Sequence, residues 1–269
     1  MVRRSRAARR ASRNAWLMLV GSVLALAGIV SLLVYLYMTT DPAPDAVTLC
    51  PESGPLGHTV LLLDNTDPYS FIQKQQLKQN LRAMSSSYVP EGYLLSVFVL
   101  GADFTANAEP VFEKCNPGTG AGKSEWNHNP ERMKKRFQEG FQDPLVKLSD
   151  AVLLDNPSER SPVFEMLQLA ATNGFKRHNV NGPKKLLIYS DMLANTSEFS
   201  MFKGVPDYAA FKESPYGRQI GVSLNGVTVD INILFKYPKL QTIRLQAFWE
   251  AHFNASGASV DRSQPFGAQ

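Results

Sequence analysis

Histidine and cysteine are scarce in this chain, and their scarcity removes whole classes of chemistry. The four histidines, His58, His128, His178 and His252, are scattered and form no HExxH pair, so no zinc-hydrolase signature is present. No GxSxG elbow offers a serine nucleophile. The two cysteines, Cys50 and Cys115, have no CxxC spacing and no histidine neighbour, which argues against thiol catalysis or metal binding by them. Acidic residues are absent from the first 14 positions, where six arginines stand: Arg3, Arg4, Arg6, Arg9, Arg10 and Arg13. The formal charge of +4 comes from that tip. Without it, 22 basic residues face 24 acidic ones, so the remainder sums to −2. A near-neutral body with a basic tip gives no nucleic-acid surface.

Charge is also missing from Ala15–Met38, whose 24 residues carry only Ser22 and Ser31 as clearly polar side chains. At about 1.5 Å per residue this run spans a hydrocarbon core of roughly 30 Å. Trp16 stands at one end and Tyr35 and Tyr37 at the other, as interfacial aromatics do. The arginines precede the span, and Asp41 and Asp45 follow it. Positive-inside logic therefore expects a cytoplasmic N-terminus and an extracytoplasmic body, in the inner membrane and periplasm if the source is bacterial. A cleaved signal peptide is the competing reading. Its apolar region would be about 7–15 residues with a small-x-small site behind it, and Tyr35–Thr40 offers no such site, so an uncleaved signal anchor is expected.

The expected organisation is a basic cytoplasmic tip at 1–14, the anchor at 15–38, a linker at 39–56, one folded domain at 57–258 and a flexible tail at 259–269. At 269 residues and 44% hydrophobic content, one good-sized domain is accommodated. The linker run Asp41–Pro55 is rich in proline and favours irregular backbone. An exported compartment is oxidising, so a Cys50–Cys115 disulfide is expected, with two separate buried thiols as the alternative.

Within the domain, short buried runs alternate with helical patterns. Val60–Leu63 reads as a strand buried on both faces, ending at Asp64. Asp67 and Pro68 then predict a helix start, as N-cap and first helical residue, with the helix running over Pro68–Ser85. Tyr93–Leu100 reads as a second strand, Lys184–Asp191 and Val227–Phe235 as later ones. Met133, Phe137 and Phe141 give Pro130–Phe141 one apolar helical face. Further helices are expected over Val163–Thr172, opened by Ser161-Pro162, and over Leu240–Phe253. Such alternation predicts an α/β, Rossmann-like fold: a mostly parallel sheet sandwiched by helices. Gly101–Asn129 is irregular and contains PGTGAGKS at Pro117–Ser124. That run is not a phosphate-binding loop, because Pro117 stands where the first glycine belongs and no buried strand precedes it.

Polar residues collect at the predicted strand ends, where open α/β sheets bind ligands. Asp64 and Thr66 follow the first strand, Ser161 precedes a helix, and Asp191 closes a later strand. This order resembles the von Willebrand factor type A domain over roughly His58–Gly257. In that family an Asp-x-Ser-x-Ser loop, a Thr and a later Asp form a metal-ion-dependent adhesion site. The resemblance implies metal-ligand roles for Asp64, Thr66, Ser161 and Asp191, with Mg²⁺, Mn²⁺ or Ca²⁺ as the ion. It also implies binding of a protein partner in or near the membrane, in an envelope-associated assembly. One position departs from the pattern: Pro68 stands third in the loop and has no hydroxyl, so water, Asp67 or Ser70 would have to replace it.

Two other readings stay open. A Rossmann-like metal-dependent hydrolase or phosphatase would use Asp64 as nucleophile and Asp191 as metal ligand, although DNTDP places Thr66 where the haloacid-dehalogenase loop has its second Asp. A scaffold with a vestigial site is the third reading. Asn195-Thr196-Ser197 and Asn254-Ala255-Ser256 match glycosylation sequons, relevant only in a eukaryotic secretory route.

Overall fold

A computed structural model of the protein describes residues 6–39, 44–101, 108–123, 129–152 and 158–267. Arg3, Arg4, Ser124 and His128 lie outside the described residues. The chain divides into two compact units, Met1–Pro42 with Gly120–Pro130, and Ala43–Thr119 with Glu131–Gln269. The first contains helix α1, Arg6–Thr39. Its Ala15–Met38 stretch is, among the described residues, the one helix long and apolar enough to cross a membrane, and none of it is buried. The Ser22 hydroxyl donates to the Met18 carbonyl at 2.9 Å, so this polar group is satisfied inside its own helix.

In the second unit, unbroken apolar runs form the strands. β1 (Gly57–Asp64), β2 (Tyr93–Leu100), β4 (Lys184–Ser190) and β5 (Val227–Leu234) are long and buried. β3 (Phe112–Cys115) and β6 (Ser259–Phe266) lie at the edges of a sheet ordered β3-β2-β1-β4-β5-β6. All neighbours are parallel except β2 and β3. β1 is central, with Leu61 opposite Val97 on one side and Leu187 on the other. Every residue of β1 is buried, which is why its run is continuous rather than alternating. Burying each of Val60–Leu63 stabilises the fold by about 1.5–3 kcal/mol.

Two helical layers cover the sheet. Helix α2 (Phe71–Ser87) contributes Leu77, Leu81 and Met84 to one face. Beside it, α3 (Pro130–Phe137) passes through a π-helical turn at Gln138–Gln142 into α4 (Asp143–Val152), placing Phe137, Phe141 and Leu145 against the same face. On the other face pack α5 (Val163–Leu169), which continues as a π-helix over Ala170–Lys176, and α8 (Ile243–Ala255). Phe164 is the hub there, with its ring centroid 4.7 Å from that of Trp249 and 5.0 Å from that of Phe211. Gly174 lets the π-helix sit down on the sheet, because a Cβ there would come within 3.0 Å of Val60. The short helices α6 (Tyr208–Glu213) and α7 (Pro215–Gln219) complete this layer. The result is the α/β sandwich around a mostly parallel sheet that the alternating pattern predicts.

Several expected boundaries move. Helix α2 starts at Phe71, three residues later than predicted, because Ser70 and not Asp67 is its N-cap. Ser70 accepts from the Gln73 amide at 3.2 Å while the Gln73 side chain accepts from the Ser70 amide at 2.8 Å, a reciprocal capping box. The flexible tail expected at 259–269 is instead strand β6 over Ser259–Phe266, in register with β5. Its side chains are mostly exposed and polar, and Pro265 sits at the edge, so it carries no buried apolar run to announce it. β3 escapes notice because it is four residues long and only Phe112 and Cys115, at its ends, are buried. The linker at 39–56 is anchored at its far end. Asp45 holds a turn through the Val47 and Thr48 amides, Leu49 is buried, and Cys50 forms a disulfide with Cys115. In α8 the buried residues are Leu245, Phe248, Trp249, His252 and Phe253, while Ile243 is exposed.

Candidate functional site

The carboxyl ends of β1 and β4 lie side by side, so the residues that follow each strand meet. Asp64 ends β1 and Asp191 immediately follows β4. The loop before α5 is drawn in by the bond from the Ser158 amide to the Thr66 carbonyl at 2.7 Å. Ser161 and Asn195 exchange backbone hydrogen bonds at 2.7 and 2.8 Å. These constraints place Thr66, Asp67, Ser161, Asp191 and Asn195 around one cleft of about 520 Å³, with Phe202 and Tyr237 on its wall. The four residues singled out in the sequence therefore converge, but not as equals. Asp64 is 2% exposed and lies behind the cleft rather than on its lining.

Asp64 is fully engaged. Its Oδ1 accepts from the Thr66 hydroxyl at 2.7 Å and the Thr66 amide at 3.0 Å. Its Oδ2 accepts from the Ser190 hydroxyl at 2.6 Å. A carboxylate so placed orients the Thr66 hydroxyl, and its burial behind the cleft keeps it from a substrate, which weighs against the hydrolase reading. Asp191 accepts from the Leu193 amide at 2.9 Å. Ser161 contributes a buried hydroxyl oxygen with no hydrogen-bond partner. Such orphans are uncommon and call for a physical account.

Burial pushes the Asp191 carboxyl well above the ordinary carboxylate range, and the nearby Asp64 charge adds to this, against the Leu193 amide. Burial raises Asp64 as well, against the hydrogen bonds from Ser190 and Thr66. Two buried acids so close disfavour double ionisation unless a cation or strong donors intervene. One cation is at hand: the Lys236 ammonium lies 3.8 Å from Asp67 Oδ2 and donates to the Pro68 carbonyl at 2.7 Å.

Of the candidates to replace the missing third hydroxyl, Ser70 is committed to its helix cap, whereas Asp67 faces the cleft, where its charge helps to raise Asp191. Among the described residues, no group of three or more His, Cys, Asp or Glu is gathered to hold a metal ion. What lines the cleft is mixed: the carboxylates of Asp67 and Asp191 with the hydroxyls of Thr66 and Ser161. These four are all oxygen donors, Asp64 stands behind them, and the orphaned Ser161 hydroxyl is the observation that fits them to a hard divalent cation.

Sequence reading missed Ser190 and Met192. Met192 has φ of 60°, an uncommon conformation for a bulky residue. It is held by its amide on the Ser190 hydroxyl at 2.9 Å and its carbonyl under the Trp249 indole N–H at 2.8 Å. The signal available was Ser190 itself, a hydroxyl closing an otherwise apolar strand.

No family model and no curated protein matches this chain. It is similar to the solved structure of a proximal thread matrix protein from the mussel byssus with a zinc-occupied MIDAS motif, at 13% identity and a TM-score of 0.36, covering 79% of this chain and 45% of that one. It is also similar to an aerotolerance-related membrane protein from Bacteroides fragilis carrying multiple mutations to serine, at 11% identity and a TM-score of 0.34, covering 77% of this chain and 91% of that one. The chain thus spans less than half the length of the mussel protein.

Proposed function

We propose that this chain is a single-pass membrane protein whose α/β domain, outside the cytoplasm, binds a protein partner through the cleft at the carboxyl ends of β1 and β4. The observation that carries the reading is a buried acid pair, Asp191 on the cleft and Asp64 behind it, beside an unpartnered Ser161 hydroxyl. Phe202 and Tyr237, in ring contact at 5.1 Å on the cleft wall, supply the aromatic surface that anchors many interfaces. Asp191, Thr66 and Ser161 would hold a Mg²⁺, Mn²⁺ or Ca²⁺ ion, with Asp64 fixing Thr66 from behind. Such an ion supplies an electrophile able to accept a partner's Asp or Glu carboxylate.

Lys236 favours a second reading, in which its ammonium and the surrounding donors neutralise the carboxylates and the partner binds without metal. Titration calorimetry of the full chain with Mg²⁺, Mn²⁺ and Ca²⁺ separates the two. The metal reading expects saturable heat and a rise in Tm, both lost in Asp191→Ala while the fold is retained, because Asp191 lies just beyond a strand end. No heat and no thermal shift with any of the three ions, alongside intact capture of membrane partners by crosslinking, leaves the metal-free reading. Loss of partner capture in neither Asp191→Ala nor Phe202→Ala overturns the cleft as the binding surface.

A further inference from the structure

A second and larger cavity, about 660 Å³, opens at the opposite end of the sheet, beside the amino ends of β4 and β5. One wall is the helix formed by α5 and its π-helical continuation, and the other is the segment 221–227. Gln168 ties the two walls, donating to the Gly221 carbonyl at 3.2 Å and to that of Gln219 at 3.4 Å. The wider π-helical turn is rare and recurs at functional sites, and here it forms part of the lining.

The two ends of this cleft differ in charge. At one end stands Glu165, whose Oε1 accepts from the Tyr216 hydroxyl at 3.0 Å while its Oε2 is buried without a donor. At the other end are Lys176 and Lys184, neither of which has a carboxylate partner among the described residues. Between them the lining is largely apolar, including Leu169, Phe175 and Leu224. Glu165 and Lys176 share one wall, separated by about 16 Å along the helix at about 1.5 Å per residue. A buried carboxylate oxygen without a donor is costly and asks for a cation or N–H from elsewhere.

We infer that this cleft binds a short extended peptide, basic at one end and apolar in the middle, whose free terminal carboxylate meets Lys176 and Lys184. At about 3.3 Å per extended residue, five residues span the separation. The assignment is independent of the carboxylate cleft at the far end of the sheet, and its basis is charge complementarity over the length of the cleft.

The test is calorimetry on the full chain in detergent with acetyl-Arg-Leu-Ala-Val-Leu as the free acid and as its carboxamide. The free acid is expected to bind with Kd below about 1 mM. Glu165→Gln, which keeps the hydrogen bond from Tyr216, weakens both peptides about tenfold or more, the scale of a lost charged hydrogen bond. Lys184→Met weakens the free acid by a similar factor and leaves the carboxamide unchanged. Melting curves of both variants matching the parent confirm that the loss is local. Absence of binding by the free acid up to about 5 mM overturns the inference. So does equal affinity of parent and Glu165→Gln for the free acid, or equal sensitivity of both peptides to Lys184→Met.

Discussion

Acidification is expected to cost stability at two buried histidines, and the size of the effect follows from their surroundings. His252 is 4% exposed, ringed by Phe164, Trp249, Tyr208 and Phe253, with its Nε2 lacking any hydrogen-bond partner. Burial lowers it from 6.5 to about 4. His58 is fully buried in β1, bonded through Nε2 to the Ser96 hydroxyl at 2.9 Å, with Nδ1 unpartnered. Burial, followed by the charges of His178 and Lys184, lowers it from 6.5 to about 3. Both histidines stay neutral in the fold while the unfolded chain takes up protons below 6.5. Stability contributed by their neutral forms is therefore complete above that pH and is lost progressively as pH falls toward the folded values.

At pH 5 each histidine sits about 1.5 units below its unfolded value, a loss of about 2 kcal/mol per group and about 4 kcal/mol together. Against a typical stability of 5–15 kcal/mol, that is a large fraction. The assay is guanidinium unfolding of the full chain in detergent at pH 7 and pH 5, followed by Trp249 fluorescence. The histidines are expected to withdraw about 4 kcal/mol between the two pH values in the parent and about half of that in His252→Phe. The raised carboxyls of Asp64 and Asp191 act in the opposite sense and gain stability as pH falls. Buried carboxyls contribute equally to both proteins, so the comparison isolates the histidine. An identical pH 7-to-5 difference in parent and His252→Phe would refute the reasoning.

Removal of the Cys50–Cys115 bond, which closes 65 residues of chain, is expected to cost about 4 kcal/mol in the chain-entropy model. Urea unfolding of the double Cys→Ala variant measures it, and alkylation of protein taken directly from membranes should find no free thiol. Replacing the six N-terminal arginines by neutral residues is expected to scramble orientation in part. A reporter active only outside the cytoplasm, fused after Gln269, reads this out by its activity, and silence in the parent fusion would reverse the proposed topology.

What could be read from the sequence was whatever burial writes into it. Val60–Leu63, Tyr93–Leu100 and Lys184–Asp191 are dominated by apolar residues because both faces of their strands are covered, and they fall within three residues of β1, β2 and β4 at either end. Asp64, Thr66, Ser161 and Asp191 could be gathered because a parallel sheet sends successive strand ends to the same edge. β3 and β6 were illegible because edge strands are short or polar by necessity. The π-helical turns at Gln138–Gln142 and Ala170–Lys176 leave no periodicity of their own. The Ser70 cap was overlooked because Asp67-Pro68 presents the same chemistry three residues earlier. Lys236 reaches Asp67 and Pro68 from a segment far along the chain, a proximity that spacing does not encode.

The position of β1 at the centre of the sheet has a kinetic consequence. It is the first strand in the chain, yet one of its two neighbours, β4, is separated from it by β2, β3 and the helices through α5 and its π-helical continuation. Until β4 is available, one edge of a strand that is buried along its whole length has no partner. In the meantime β2, β3, the helices α2 to α4 and the Cys50–Cys115 bond can assemble around its other edge and one face. Such long-range parallel pairing is intrinsically slow and leaves a sticky edge open while it waits. The half-sheet β3-β2-β1 is therefore the species on which a chaperone would act, and the pairing of Leu61 with Leu187 marks the end of its exposure.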